Sequence, residues 1–185
     1  MLEKIIRLDK ELLVFLNSLG SERFDGLWLM ITKQIYWTPL FLLVFYLLQK
    51  KIGWKNFGFY ILFTLVLILF CDQTTNLFKW YFHRLRPCND MQVMNIIRIP
   101  GNKSSSFSFF SGHAATSMAS TVFIFFILKK YYKHAYLLFL FPFIFAYSRI
   151  YLGLHFPIDI LTGYIFGATF GFICYKLYWK YILKN

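Results

Sequence analysis

Five stretches of apolar residues, each closed off by charged or polar punctuation, leave this chain few ways to fold. They lie at about residues 36–48, 57–78, 114–128, 135–147 and 158–175. The first ends at Gln49-Lys50-Lys51 and the third at Lys129-Lys130, while Asp72 and Gln73 interrupt the second. Each approaches the roughly 20 residues that cross a hydrocarbon core as a helix, the first and fourth with help from flanking residues. In lipid a segment has to pair its own backbone N–H and C=O groups, so spanning segments of this kind are helices. Composition closes off the alternatives. With 58% hydrophobic residues, 23% aromatic and only 15% charged, the chain is too aromatic for a disordered segment and too poor in charge for an ordinary soluble domain. A net charge of +12 would suit nucleic acid, but a nucleic-acid-binding domain does not carry such runs. The expected fold class is all-α: an integral membrane helical bundle of five to six transmembrane helices, forming a single domain over residues 1–185.

The N-terminal part differs. Ile5, Leu8, Leu12, Phe15 and Leu19 recur at helical spacing with Lys4, Arg7, Lys10 and Glu11 between them. This amphipathic pattern is interfacial more than spanning. A short apolar piece follows at residues 24–31, so residues 1–33 are expected to form an amphipathic or re-entrant element. A cleavable signal peptide is not expected, because Glu3, Asp9 and Glu11 stand where its charge-free core would be.

The lysines orient the bundle. Lys50, Lys51 and Lys55 follow the first run, Lys129, Lys130 and Lys133 the third, and Lys176, Lys180 and Lys184 the last. Five alternating spans bring all three clusters to one side, which the positive-inside rule makes cytoplasmic. The opposite side receives the loop 79–110 and the turn 153–157. It also receives Lys79, Arg84, Arg86, Arg98, Lys103 and Arg149, against the same rule, so these cations need another reason. The three cysteines offer none: Cys71, Cys88 and Cys174 are far apart, with no CxxC and no Cys/His cluster.

Three motifs converge on that opposite side. Lys79 is followed after six residues by Arg86-Pro87; Ser111-Gly112-His113 directly precedes the third run; Ser148-Arg149 is followed by His155 and Asp159. The first two are weak alone, since a basic stretch before Pro ends helices and Ser caps them. The third, four residues at fixed spacing, is specific. Together, KWYFHRLRP, FSGH and SRIYLGLHFPID resemble the type 2 phosphatidic acid phosphatases, relatives of the vanadium haloperoxidases. The resemblance covers roughly the last 130 residues, and Phe110 stands where the family usually has Pro.

The chemistry of these residue types fits phosphoryl transfer, which needs cations around the equatorial oxygens and an aligned nucleophile. Lys79, Arg86 and Arg149 supply the cations, and Arg suits bidentate phosphate contact. Ser111 and the Gly112 N–H lie at a predicted helix N-terminus, where anions are stabilised. The resemblance implies His155 as a nucleophile forming a phosphohistidine, Asp159 as the group orienting it and His113 as the proton donor to the leaving oxygen. Asp72 shares a helix face with Lys79, two turns away, and is expected to support the basic site, for example by pairing with an Arg. His83 and Arg84 lie inside the first motif but off its fixed positions, near the head group or in the interface. Eight acidic residues, five of them in the first 25 positions, are too few for a two-metal site, so no metal and no other cofactor is expected. Gly163, Gly167 and Gly171 read as close helix packing, and the loop 88–109 as a short interfacial helix bordering lipid access.

What the resemblance implies is a metal-independent lipid phosphate or diphosphate phosphatase. The small size, without a further soluble domain, looks like bacterial members. That implies a multi-pass inner-membrane protein with its site on the periplasmic side, its C-terminus in the cytoplasm, and monomeric or weakly dimeric. The partners expected are membrane lipid and a phospholipid or polyprenyl phosphate substrate, with no nucleic acid. Undecaprenyl diphosphate leads; phosphatidylglycerophosphate, phosphatidic acid and lipid A follow, with phosphotransfer to an acceptor lipid as another outcome. A non-enzymatic reading, an anion transporter, has no use for an oriented imidazole.

Overall fold

Each apolar run becomes helix. The computed structural model describes residues 1–184, with no strand among them. Six α-helices follow one another: α1 (Leu2–Ser18), α2 (Glu22–Ile31), α3 (Thr38–Phe82), α4 (Gly112–Leu128), α5 (Leu140–Tyr151) and α6 (Pro157–Tyr178). The long α3 holds the first two runs and is not straight. Gly53 leaves helical geometry at φ 76° and ψ 165°. Along a straight helix Phe45 and Tyr60 would be about 22 Å apart, yet their ring centroids lie 6.2 Å apart. The two arms of α3 therefore fold back on each other at Gly53, beside Lys50, Lys51 and Lys55, where the sequence places a break.

That turn meets the other lysine clusters. Lys51 lies over the Tyr131 and Tyr132 rings, Lys130 over Trp179, and the Tyr178 hydroxyl donates to the Asn56 carbonyl at 2.8 Å. All three lysine clusters thus gather at one end of the bundle. A core of Leu48, Tyr60, Leu67, Phe123, Ile127 and Tyr178 fills the space above them.

The central packing is α4 against α6. A Cβ added at Gly167 or Gly171 would collide with the backbone carbonyl of Ala115 or Ala119, and one at Gly163 would meet Ser111 and Ala114. The three glycines let two backbones touch, as their four-residue spacing predicts. Outside this core the bundle is apolar: Leu65, Leu69, Leu77, Leu161 and Ile165 all face outwards. The stretches Gln34–Asn89 and Pro157–Leu183 are long and apolar enough to cross a membrane, and Gly112–Leu128 and Ala135–Tyr151 are shorter apolar helices. Lipid, not water, is the solvent such a surface fits, and the bundle is membrane-associated.

The N-terminal helices sit at the end opposite the lysines, against α5 and α6. In α1 the predicted apolar stripe, Ile5, Leu8, Leu12, Phe15 and Leu19, is exposed, and the face turned to the protein is Asp9, Leu13 and Asn17. Residues 91–96 form turns, not the expected short helix. Both ends of that loop are pinned, by Lys10 to Asp90 at 2.6 Å and by Asn17 to the backbone of Arg98. The three cysteines are buried and unpaired.

Candidate active site

The three motifs come from different places and meet at the end of the bundle away from the lysines. Lys79 sits near the end of α3, Arg86 in the loop after it, His113 in the first turn of α4, Arg149 near the end of α5 and Asp159 in the first turn of α6. His155 lies in the short connection between α5 and α6. That connection turns at Gly153, with φ +66° and a carbonyl that accepts the Cys88 N–H at 3.0 Å. Pro157 then opens α6, as expected, because its missing N–H costs nothing at a first helical position.

His155 is almost wholly buried, at 1% exposure. Its Nε2 lies 3.2 Å from Arg86 Nη1. A guanidinium can only donate, so Nε2 is the unprotonated acceptor and Nδ1 carries the proton. Nδ1 faces Asp159 Oδ2 at 3.5 Å and Ser108 Oγ at 3.4 Å. Asp159 is itself fixed: Oδ2 also accepts the Ser108 hydroxyl and the Phe156 N–H at 2.9 Å, and Oδ1 accepts Arg84 Nη1 at 2.7 Å. Burial pushes the His155 imidazole down to about 4, the Asp159 hydrogen bond opposing it and the Arg86 and Arg149 charges adding to it. The ring is therefore neutral at neutral pH, with its Nε2 lone pair aimed towards an arginine.

Arg86 is held by Ser106, through its carbonyl at 2.8 Å and its hydroxyl at 2.8 Å, and by the Leu154 carbonyl at 3.0 Å. Arg149 donates from Nη1 to Thr32 Oγ1 at 2.6 Å, while its buried Nε has no partner among the described residues. A buried donor left open calls for an acceptor from outside the chain. His113 stacks on Phe145 with centroids 5.2 Å apart and lies within electrostatic reach of Arg149, His155, Lys79 and Arg86. Ser111 is buried and caps α4, accepting the Ala114 N–H at 3.4 Å, so its hydroxyl serves the helix. The two preceding N–H groups, of Gly112 and His113, have no acceptor inside a helix and remain for an anion.

A cavity of about 500 Å³ opens from Lys79, Gly112 and His113 and runs between α3, α4 and α5 to Tyr60, Ile124 and Leu138. From His113 to Ile124 it follows α4 for about 16 Å. Thr64, Thr116 and Ser117 donate their hydroxyls to their own helices, and Leu40, Val44, Ile68 and Phe141 line the cavity with hydrocarbon beside Ser120 and Thr121. Asp72 lies on the wall of this cavity and accepts from Asn76 at 3.0 Å in its own helix, not from an arginine. Among the described residues no group of three His, Cys, Asp or Glu side chains is placed to hold a metal ion.

Sequence reasoning missed Ser108, Ser106 and Thr32, and the carboxylate partners of Arg84. Arg84, expected near the head group or in the interface, pairs with Asp159 and, at 2.6 Å, with Asp9. His83 is exposed and packs on Phe107. The one signal for Arg84 was its place within the first motif.

Comparison with known proteins shows the family. The family model for the PAP2 superfamily matches residues 56–183. A lipid A 4'-phosphatase of Bacteroides thetaiotaomicron is 32% identical over 178 residues, covering 95% of this chain and 79% of that protein. An undecaprenyl-diphosphatase of Sulfolobus acidocaldarius is 24% identical over 179 residues, covering 95% and 81%. The crystal structure of a transmembrane PAP2 type phosphatidylglycerolphosphate phosphatase from Bacillus subtilis shares the fold, with a TM-score of 0.73 at 21% identity over 96% of this chain and 88% of that one. The chain belongs to the PAP2 superfamily and is a phosphatase of that type.

Proposed function

We propose that the chain hydrolyses the phosphate of a membrane lipid through a phosphohistidine on His155. The observation that carries this is the state of His155: neutral, its Nδ1–H turned to Asp159 and its Nε2 beside Arg86. A phosphoryl group bound by Arg86, Arg149, Lys79 and the Gly112 N–H would lie against Nε2. In the first step Nε2 forms a bond to phosphorus and the bond to the lipid oxygen breaks. His113 gives that oxygen its proton. In the second step water, deprotonated by His113, attacks phosphorus, the N–P bond breaks, and inorganic phosphate leaves. Asp159 compensates the charge that builds on the imidazole.

The cavity below His113 supports a lipid substrate, since one hydrocarbon chain attached to the phosphate would occupy it. The substrate favoured by likeness is a phosphate of lipid A, after the 32% identical relative. The second reading is undecaprenyl diphosphate, towards which the sequence leans and for which the Sulfolobus acidocaldarius relative speaks. Both suit a bundle with five spans, two of them the arms of α3, its lysine end in the cytoplasm and its site on the outer side of a bacterial inner membrane. Phosphate release by detergent-solubilised protein from lipid A, undecaprenyl diphosphate and dioctanoyl phosphatidic acid, with His155→Ala alongside, tests this. Release from at least one lipid by wild type and none by the variant is expected; equal release by both would reject the mechanism.

A further inference from the structure

Helix α1 turns Asp9, Leu13 and Asn17 to the protein and leaves its apolar stripe outside. Asp9 and Asn17 are 3% and 1% exposed, while Ile5, Leu8, Leu12 and Phe15 remain outside. Burying a carboxylate is costly unless it is paired, so the partner of Asp9 matters. That partner is Arg84, whose Nη2 lies 2.6 Å from Asp9 Oδ2 while its Nη1 lies 2.7 Å from Asp159 Oδ1. The second oxygen of Asp9 accepts the Ile158 N–H at 2.9 Å, one residue before Asp159. The guanidinium also rests on the Phe156 ring, 4.0 Å from its centroid.

We infer that Arg84 and Asp9 are positioning residues for the His155–Asp159 pair, which makes α1 part of the active-site scaffold. This rests on the reading of His155 as the nucleophile. The acceptor count on Asp159 supports it. Oδ2 serves His155, Ser108 and the Phe156 N–H; Oδ1 serves Arg84. Without Arg84, Oδ1 loses its partner and the carboxylate that faces Nδ1 is held at Oδ2 alone. Arg84 alone would not suffice, because it follows α3 in a loop beside a site built for phosphate and would be drawn to the substrate. Asp9 holds its other nitrogen and keeps it on Asp159. Asn17 anchors the same helix by a separate set of bonds, to the carbonyls of Arg98, Ile150 and Tyr151 and from the Arg98 N–H, none of which touch the pair.

The test is the kinetics of Asp9→Asn, Arg84→Gln, Arg84→Lys, the Asp9→Asn/Arg84→Gln double variant, Asn17→Ala and His155→Ala on dioctanoyl phosphatidic acid in micelles, with melting temperatures. Positioning predicts a loss in kcat on the order of 10–100-fold for Asp9→Asn and Arg84→Gln, with KM within about two-fold. The double variant falls no further than Arg84→Gln, and Arg84→Lys recovers part of the rate. Asn17→Ala lowers the melting temperature and leaves kcat within a few-fold. Near-normal kcat in Asp9→Asn and Arg84→Gln, or an equal loss in Asn17→Ala, would overturn the inference provided His155→Ala is inactive. An active His155→Ala would instead overturn the catalytic reading beneath it.

Discussion

A histidine nucleophile is useful only while its attacking nitrogen is free of a proton. Burial holds His155 down to about 4, so protonation sets in far below the ordinary value near 6.5. A lower pKa moves the loss of the proposed nucleophile to lower pH, so kcat/KM should show no decline from His155 between about pH 5 and 7. A decline centred near 6.5 that vanished in no other variant would contradict this. Ser108 shares Asp159 and Nδ1 with His155, and Ser108→Ala should lower kcat on the order of ten-fold with KM nearly unchanged, measured by initial rates. Lys79, Arg86, His113, Arg149, His155 and Asp159 were legible as candidates in the sequence because they stand at fixed motif spacing, and the structure gathers them at one end of the bundle. Ser108 and Arg84 were not, because their meaning lies in contacts 51 and 75 residues along the chain. No spacing rule reaches that far.

The helices themselves were legible from apolar run length, and the reversal at Gly53 from the lysines around it. The face of α1 was not. An apolar stripe at helical spacing says that one side avoids water, but in a membrane protein either lipid or protein can cover it. Here the stripe faces out, and the buried side is chosen by Asp9 and Asn17. The glycines of α6 behave differently, since a four-residue repeat of small residues has one common use, close backbone approach. Gly167→Ala should lower the melting temperature, reflecting a cost of about 1–3 kcal/mol from overpacking. Gly58→Ala should raise it slightly, because an added Cβ there meets nothing within 4 Å and alanine favours helix. The reverse order would mean that α4 and α6 do not touch through these glycines.

Across the whole molecule, charge is sorted by end. Three lysine clusters collect at the turn of α3, after α4 and at the end of α6, and Lys79, Arg86 and Arg149 collect opposite. The proposed orientation makes Ser105→Cys accessible to an impermeant maleimide in intact spheroplasts and Lys133→Cys accessible only after permeabilisation. The native cysteines are buried and give a low background. The claim on which the rest depends is the covalent intermediate on His155. It is tested most directly by mixing the protein with lipid phosphate carrying ³²P and quenching in alkali, where phosphohistidine survives. Label bound to the chain, stable in base, lost in acid and absent from His155→Ala is the expected result; turnover with no such label, or with the same label in His155→Ala, would contradict it.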